Sequence, residues 1–200
     1  MKFWLLNTLK FLAYIAPFLL GFTFITVSAL NGTFLQPLVY FGVLSLTMLV
    51  LSQIKINGNL DLPTDYNAIC KTWGWNIFDD AYYRPSLGTY FIVFSAMYTI
   101  MPMIISQNIN VFFIVYLISV FLLDLIFNFS INKCYTITSY SISVFFGLLV
   151  GSLSSTLVHS TNPELVYFGD TPSNNQTCGK KNNKNFKCSV YKNGKLIKNL

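Results

Sequence analysis

One carboxylate, Asp124, stands inside an apolar run, between Phe121-Leu122-Leu123 and Leu125-Ile126-Phe127. A lone charge near the centre of a bilayer costs about 2.5–3.5 kcal/mol on insertion scales. Such a group is either a proton or ion site or an acceptor for a neighbouring Ser or Tyr, and the polar end Asn128–Asn132 is close by. A carrier normally sets a second intramembrane charge beside the first, and none is present in these runs. The single arginine, Arg84, opens the turn Arg84-Pro85-Ser86, and with Asp124 it forms the one pairing that could serve a phosphate-bearing lipid or a small solute. His159 is the only histidine, whereas phosphoryl transfer through imidazole needs a nucleophile and a separate acid. Four cysteines and one histidine show no CxxC or HxxxH spacing, so the chain calls for no metal and no cofactor. Cys178 and Cys188 lie ten apart in a polar segment and are candidates for a disulfide in an oxidising compartment.

The elements that carry these groups are written in the gaps between charges. Residues 11–54, 85–123 and 134–163 contain no Asp, Glu, Lys or Arg. A run of about 20 apolar residues crosses the hydrocarbon core as a helix. Five spans fit, at about 11–30, 37–54, 88–106, 110–129 and 135–158, all helical because backbone groups in lipid must be satisfied internally. Pro17 and Pro102 fall inside spans one and three and predict kinks. With 54% hydrophobic and 10% charged residues, the chain lies outside ordinary soluble domains, which carry about 25% charge. The first apolar run is too long for a cleaved signal peptide and leads directly into a second, so it reads as a retained helix.

The fold class is therefore an all-α polytopic membrane protein, with a helical region over 1–158 and a basic tail over 159–200. In the tail, 164–169 and 186–192 read as strands, and Asn193-Gly194 signals a β-hairpin. The 55–87 loop is rich in aromatic residues (Trp73, Trp75, Tyr82, Tyr83) around Asp79-Asp80, a composition suited to the headgroup level. Lys2, Lys10, Lys55, Lys71, Arg84 and Lys133 gather at one side, which makes that side cytoplasmic and leaves the tail outside. Sequons at Asn31 and Asn175 fall on the outer side of this arrangement, while Cys70 and Cys134 fall on the cytoplasmic one. Seven Lys follow residue 179 and suit anionic lipid, an acidic protein surface or non-specific nucleic acid.

In the fifth span Ser143, Gly147, Gly151 and Ser155 recur every four residues. This small-residue face admits close helix contact, either within the bundle or between two copies of the chain.

Two resemblances follow from these motifs. The segment Tyr83-Arg84-Pro85-Ser86-Leu87-Gly88-Thr89 resembles a fused remnant of the Arg-Pro and Pro-Ser-Gly-His motifs of membrane phosphatidic-acid phosphatases. That family requires two histidines; here Leu87-Gly88-Thr89 replaces the needed Gly-His, which implies a dead site and no enzyme. The tail is more specific. Leu165-Val-Tyr-Phe168, Asn174-Asn175, Cys178 and Phe186–Ile197 look like uncharacterised multi-pass membrane proteins of nucleocytoplasmic large DNA viruses. Tyr14–Gly21, Pro85-Ser86, Pro102-Met103 and Asp124 fit the same pattern. The resemblance implies a structural or assembly protein of a host endomembrane and of the virion's internal membrane, with capsid or other virion proteins as partners of the tail.

Overall fold

The structure, a computed structural model, describes residues 2–56, 70, 84–168, 189–192 and 195–199. It divides into Met1–Gly169 and Asp170–Leu200. The first unit holds five helices long and apolar enough to cross a membrane: α1 Lys2–Asn31, α2 Leu35–Ser52, α3 Leu87–Ile105, α4 Val111–Asp124 and α5 Ile137–Thr161. Local chemistry sets their ends. Ser86, Asn110 and Thr136 are extended residues whose side chains accept hydrogen bonds from the backbone N–H groups of Thr89, Phe113 and Ser139. Those bonds satisfy donors that a helix start leaves without partners. Gly32, at φ 69°, turns α1 into α2, a left-handed conformation that costs glycine nothing. After Asp124, α4 widens into a π-helical stretch, Leu125–Ile131.

Helix α3 is the hub. In its apolar stretch 61% of residues are buried, against 17–39% in the other four, so the others pack around it and leave apolar faces exposed. Its core contacts are largely aromatic, with Phe94 and Tyr98 stacked at 5.7 Å and Tyr40 of α2 lying 5.3 Å from Tyr98. Polar groups in this core are bonded across helices: Tyr90 donates to Thr47 at 2.7 Å, and Tyr40 bonds Ser95. Both helices with an internal proline continue through it. A proline removes the bond to the carbonyl four residues earlier, which for Pro102 is that of Tyr98. Ser155 of α5 donates to the Tyr98 carbonyl at 2.8 Å, so a neighbouring helix supplies the donor that proline lacks.

Over its described residues, 164–168, the segment is not the expected strand. Pro163–Leu165 forms a 3-10 turn, capped by the Asn162 side chain, and Val166 and Tyr167 then enter the end of the bundle. Burial decides this geometry. Both side chains are buried, and the Tyr167 ring lies 4.8 Å from Phe24 and 6.0 Å from Tyr40. The Tyr167 hydroxyl accepts from Ser28 at 3.0 Å and donates to the Phe24 carbonyl at 3.2 Å. Gln36 donates to the carbonyls of Glu164 and Val166 at 2.9 and 3.2 Å, and Ser106 to that of Phe168 at 3.1 Å. A strand's backbone needs another strand; this one is satisfied by side chains of α2 and of the residue closing α3. The helical unit thus extends past the expected boundary at residue 158. In the second unit, residues 189–192 and 195–199 are extended.

Candidate functional site

The turn Arg84-Pro85-Ser86 begins α3, and Ser86 is held extended by its capping role. One turn later, Thr89 faces α4 and donates to the Asp124 Oδ2 at 2.7 Å. The hydroxyls of Ser86 and Thr89 are 2.8 Å apart. Since the Thr89 proton is committed to Asp124, Ser86 is the donor of that pair. On α4, Asn128 Nδ2 reaches back one turn to Asp124 Oδ1 at 2.8 Å. From the first turn of α5, the Tyr140 hydroxyl donates to Oδ2 at 3.4 Å, its ring 4.7 Å from Phe129. Asp124 is 2% exposed, so the carboxylate meets protein and not solvent. Three helices converge on it, and both oxygens are occupied by donors.

This arrangement is a relay of hydroxyls ending on a carboxylate, Ser86 to Thr89 to Asp124, with Tyr140 and Asn128 as further donors. Among the described residues no ion pair involves Asp124, and its bonds come from neutral groups. Asn128 Oδ1 is buried beside it with no hydrogen-bond partner among the described residues.

Arg84 has another task. It is nearly buried and donates to the backbone carbonyl of Ser52, at the C-terminal end of α2. A cation there meets the partial negative charge of an unsatisfied helix terminus. The turn that carries Arg84 thus supports the end of one helix and starts another.

His159 lies 19 residues from Tyr140 along α5, about 28 Å at 1.5 Å per residue, so it stands at the opposite end of the helix from the Asp124 network. Its Nε2 is buried without a partner among the described residues. The small-residue stripe of α5 is buried against α3. A Cβ built on Gly147 would lie 2.8 Å from Val93 Cβ, and one on Gly151 2.8 Å from the Phe94 carbonyl oxygen. Ser143 bonds its own helix and Ser155 bonds Tyr98. This face is therefore covered inside the protomer. Asn31 is the exposed last residue of α1. Asn175, Cys178, Cys188 and the aromatic stretch 73–83 lie outside the described residues.

Cys70 and Cys134, which no sequence spacing pairs, form a disulfide with Cα atoms 5.4 Å apart. Thr89, Asn128 and Tyr140 join the site only in the fold. Weak local signals exist for two of them: Asp124 and Asn128 share a helix face at i, i+4, and Ser86 and Thr89 sit at capping spacing. A separate open groove of about 1260 Å³ lies between α1 and α2, lined by Pro17, Gly21, Phe41, Gly42 and Met48 among others. Its apolar wall is one that acyl chains can fill, and it includes none of the polar site residues.

Neither a family model, a curated protein nor a solved structure matches the chain.

Proposed function

We propose that this chain is a structural or assembly component of a membrane, and that its buried polar groups join helices instead of turning over a substrate. The observation that carries the reading is the environment of Asp124: 2% exposed, with donors from α3, α4 and α5 filling both oxygens. A catalytic or transport carboxylate needs a vacant side toward substrate. Arg84 supports the same view, because its guanidinium holds the Ser52 carbonyl. A site for a phosphate-bearing lipid would instead turn that guanidinium toward an open pocket.

The setting we propose is the internal membrane of a large DNA virus and the host endomembrane from which it derives. The tail motifs and the span pattern support this. The tail ends in a small hairpin in this reading. Residues Ser189–Lys192 and Lys195–Asn199 in antiparallel register about Asn193-Gly194 support it. Seven Lys after residue 179 give the tail a charge suited to anionic headgroups or an acidic capsid protein, at about 1 kcal/mol per Lys near a charged surface.

Two measurements test the proposal. Repressing the chain during infection should leave membranes or capsids incompletely assembled, and cross-linking in purified particles should join it to a virion protein. Normal particles in its absence would refute the assembly role. Purified protein should release no more phosphate from phosphatidic acid than an Arg84→Ala control. Turnover that vanishes in that control would favour a lipid-phosphate enzyme built on Arg84 and Asp124.

A further inference from the structure

We propose that the end of the bundle bearing the N-terminus, Cys70 and Cys134 faces an oxidising compartment, and that the opposite end faces the cytosol. The inference reverses the orientation obtained from loop charges, and its basis is the disulfide. Following the helices in order, α1 starts at one end, α2 finishes there, α3 starts there, α4 finishes there and α5 starts there. Cys70 belongs to the connection between α2 and α3, and Cys134 to the connection between α4 and α5. The two bonded residues therefore share the end that carries the N-terminus.

Both cysteines are buried, 4% and 2% exposed, and their Cα separation of 5.4 Å lies within the range that a disulfide spans without backbone movement. They are 64 residues apart in sequence, so the pairing is a product of the fold and not of proximity along the chain. Cytosolic thiol pools keep such pairs reduced unless a dedicated oxidant acts there, as it can for viruses that assemble in the cytosol, whereas lumenal and extracellular compartments oxidise them. The protease-protection arm of the test below separates the two. Formation releases one proton and one electron from each thiol. The electron pair passes by exchange to the disulfide of an oxidoreductase in that compartment, which leaves as a dithiol.

Loop charge argues for the other orientation. The disulfide end has six Lys and Arg residues, and the sequence beyond α5 has seven Lys. The difference that favoured a cytosolic N-terminus was proximity, because cations beyond about 15–20 residues from a span count little. Helix α5 continues to Thr161, which brings Lys180 and Lys181 to 19 and 20 residues from its end. Counted within that distance, six cations at the disulfide end still face two at the other, so the proposal rests on the disulfide against the charge count. The proposed orientation also places the sequons at Asn31 and Asn175 on the cytosolic side, where neither receives a glycan.

The test uses the full-length chain in microsomes, with one epitope tag at each terminus. Protease added to intact vesicles should digest the C-terminal tag and spare the N-terminal one. Under denaturing conditions, a maleimide–polyethylene glycol reagent should add to Cys70 and Cys134 only after reduction. Ile69→Thr creates a sequon at Asn67 in the same connection as Cys70. It should gain an endoglycosidase-sensitive mass that Asn67→Gln in that background removes. Digestion of the N-terminal tag from outside, or free thiols at both Cys70 and Cys134 without reduction, would overturn the proposal. Because the tags and the reduction step use the wild-type sequence, the result does not depend on whether a variant folds.

Discussion

Replacing Gly151 with alanine puts a methyl group where α5 touches the backbone of α3. The new Cβ would lie 2.8 Å from the Phe94 carbonyl oxygen, 3.0 Å from Met97 Cβ and 3.2 Å from Phe94 Cα. Two of these atoms belong to a helix backbone and cannot rotate away. Ordinary carbon contacts are about 3.5–4.0 Å, so the helices must part by roughly 0.5–1 Å along this seam. Overpacking of this kind costs about 1–3 kcal/mol. In water a helical Gly→Ala change returns about 1 kcal/mol of propensity. In a bilayer the separated helices stay hydrogen-bonded, so this gain largely vanishes. The folding equilibrium of Gly151→Ala should fall by about 5–150-fold, read from the midpoint of an SDS titration in mixed micelles. Gly42→Ala is the matched control, because a Cβ there has nothing within 4 Å. Equal midpoints for Gly151→Ala and Gly42→Ala would refute the packing argument. A loss that grows on dilution would instead place the stripe between two copies of the chain.

Ser155→Ala leaves the Tyr98 carbonyl without the donor that Pro102 cannot supply, and should cost about 1–2 kcal/mol in the same titration; restoring the backbone donor with Pro102→Ala should recover part of that loss. Asp124→Ala removes the acceptor for two interhelical bonds, worth about 0.6 kcal/mol each on average in a membrane. Asp124→Leu makes insertion easier but leaves the same donors without an acceptor, so it should lower the midpoint about as much as Asp124→Ala, and a loss of several kcal/mol would show that the carboxylate does more than join helices. Tyr167→Phe should cost about 1 kcal/mol, since it deletes the bond to the Phe24 carbonyl and leaves Ser28 without its acceptor. Burial pushes the Tyr167 phenol above its ordinary value of 10.0, with the Ser28 hydrogen bond opposing. The folded state therefore favours the neutral form, stability from this group is lost as the pH rises past 10, and Tyr167→Phe should lessen that alkaline loss.

The spans were legible because lipid imposes a simple rule: charges must leave the hydrocarbon, and Lys10, Lys55, Arg84, Lys133 and Glu164 bracket the apolar runs. The caps at Ser86, Asn110 and Thr136, which act within three residues, came from the fold and set the ends that charge gaps alone leave approximate. The site was only half legible. Asp124 announced itself by its cost, but Thr89 is 35 residues away in sequence and no local pattern pairs the two. Val166 and Tyr167 have strand-forming side chains, and propensity yielded to the aromatic pocket formed with Phe24 and Tyr40. Cys70 and Cys134 are 64 residues apart with two helices between them, so no local spacing pairs them, and only the fold brings them together.

The unequal lengths of the helices bear on which membranes suit this chain. At 1.5 Å per residue, α2 with its 18 residues reaches about 27 Å and α3 with its 19 about 28 Å. Endoplasmic reticulum bilayers have a hydrocarbon thickness of about 27 Å, and sterol-rich plasma membranes about 32–33 Å. The 25-residue α5 can tilt to suit either, but α2 and α3 cannot lengthen. A thick bilayer meets them by thinning locally or by snorkelling of the flanking residues, at a cost of roughly fractions of a kcal/mol per Å of mismatch. Hydrophobic mismatch of this kind favours thinner bilayers for the two short helices.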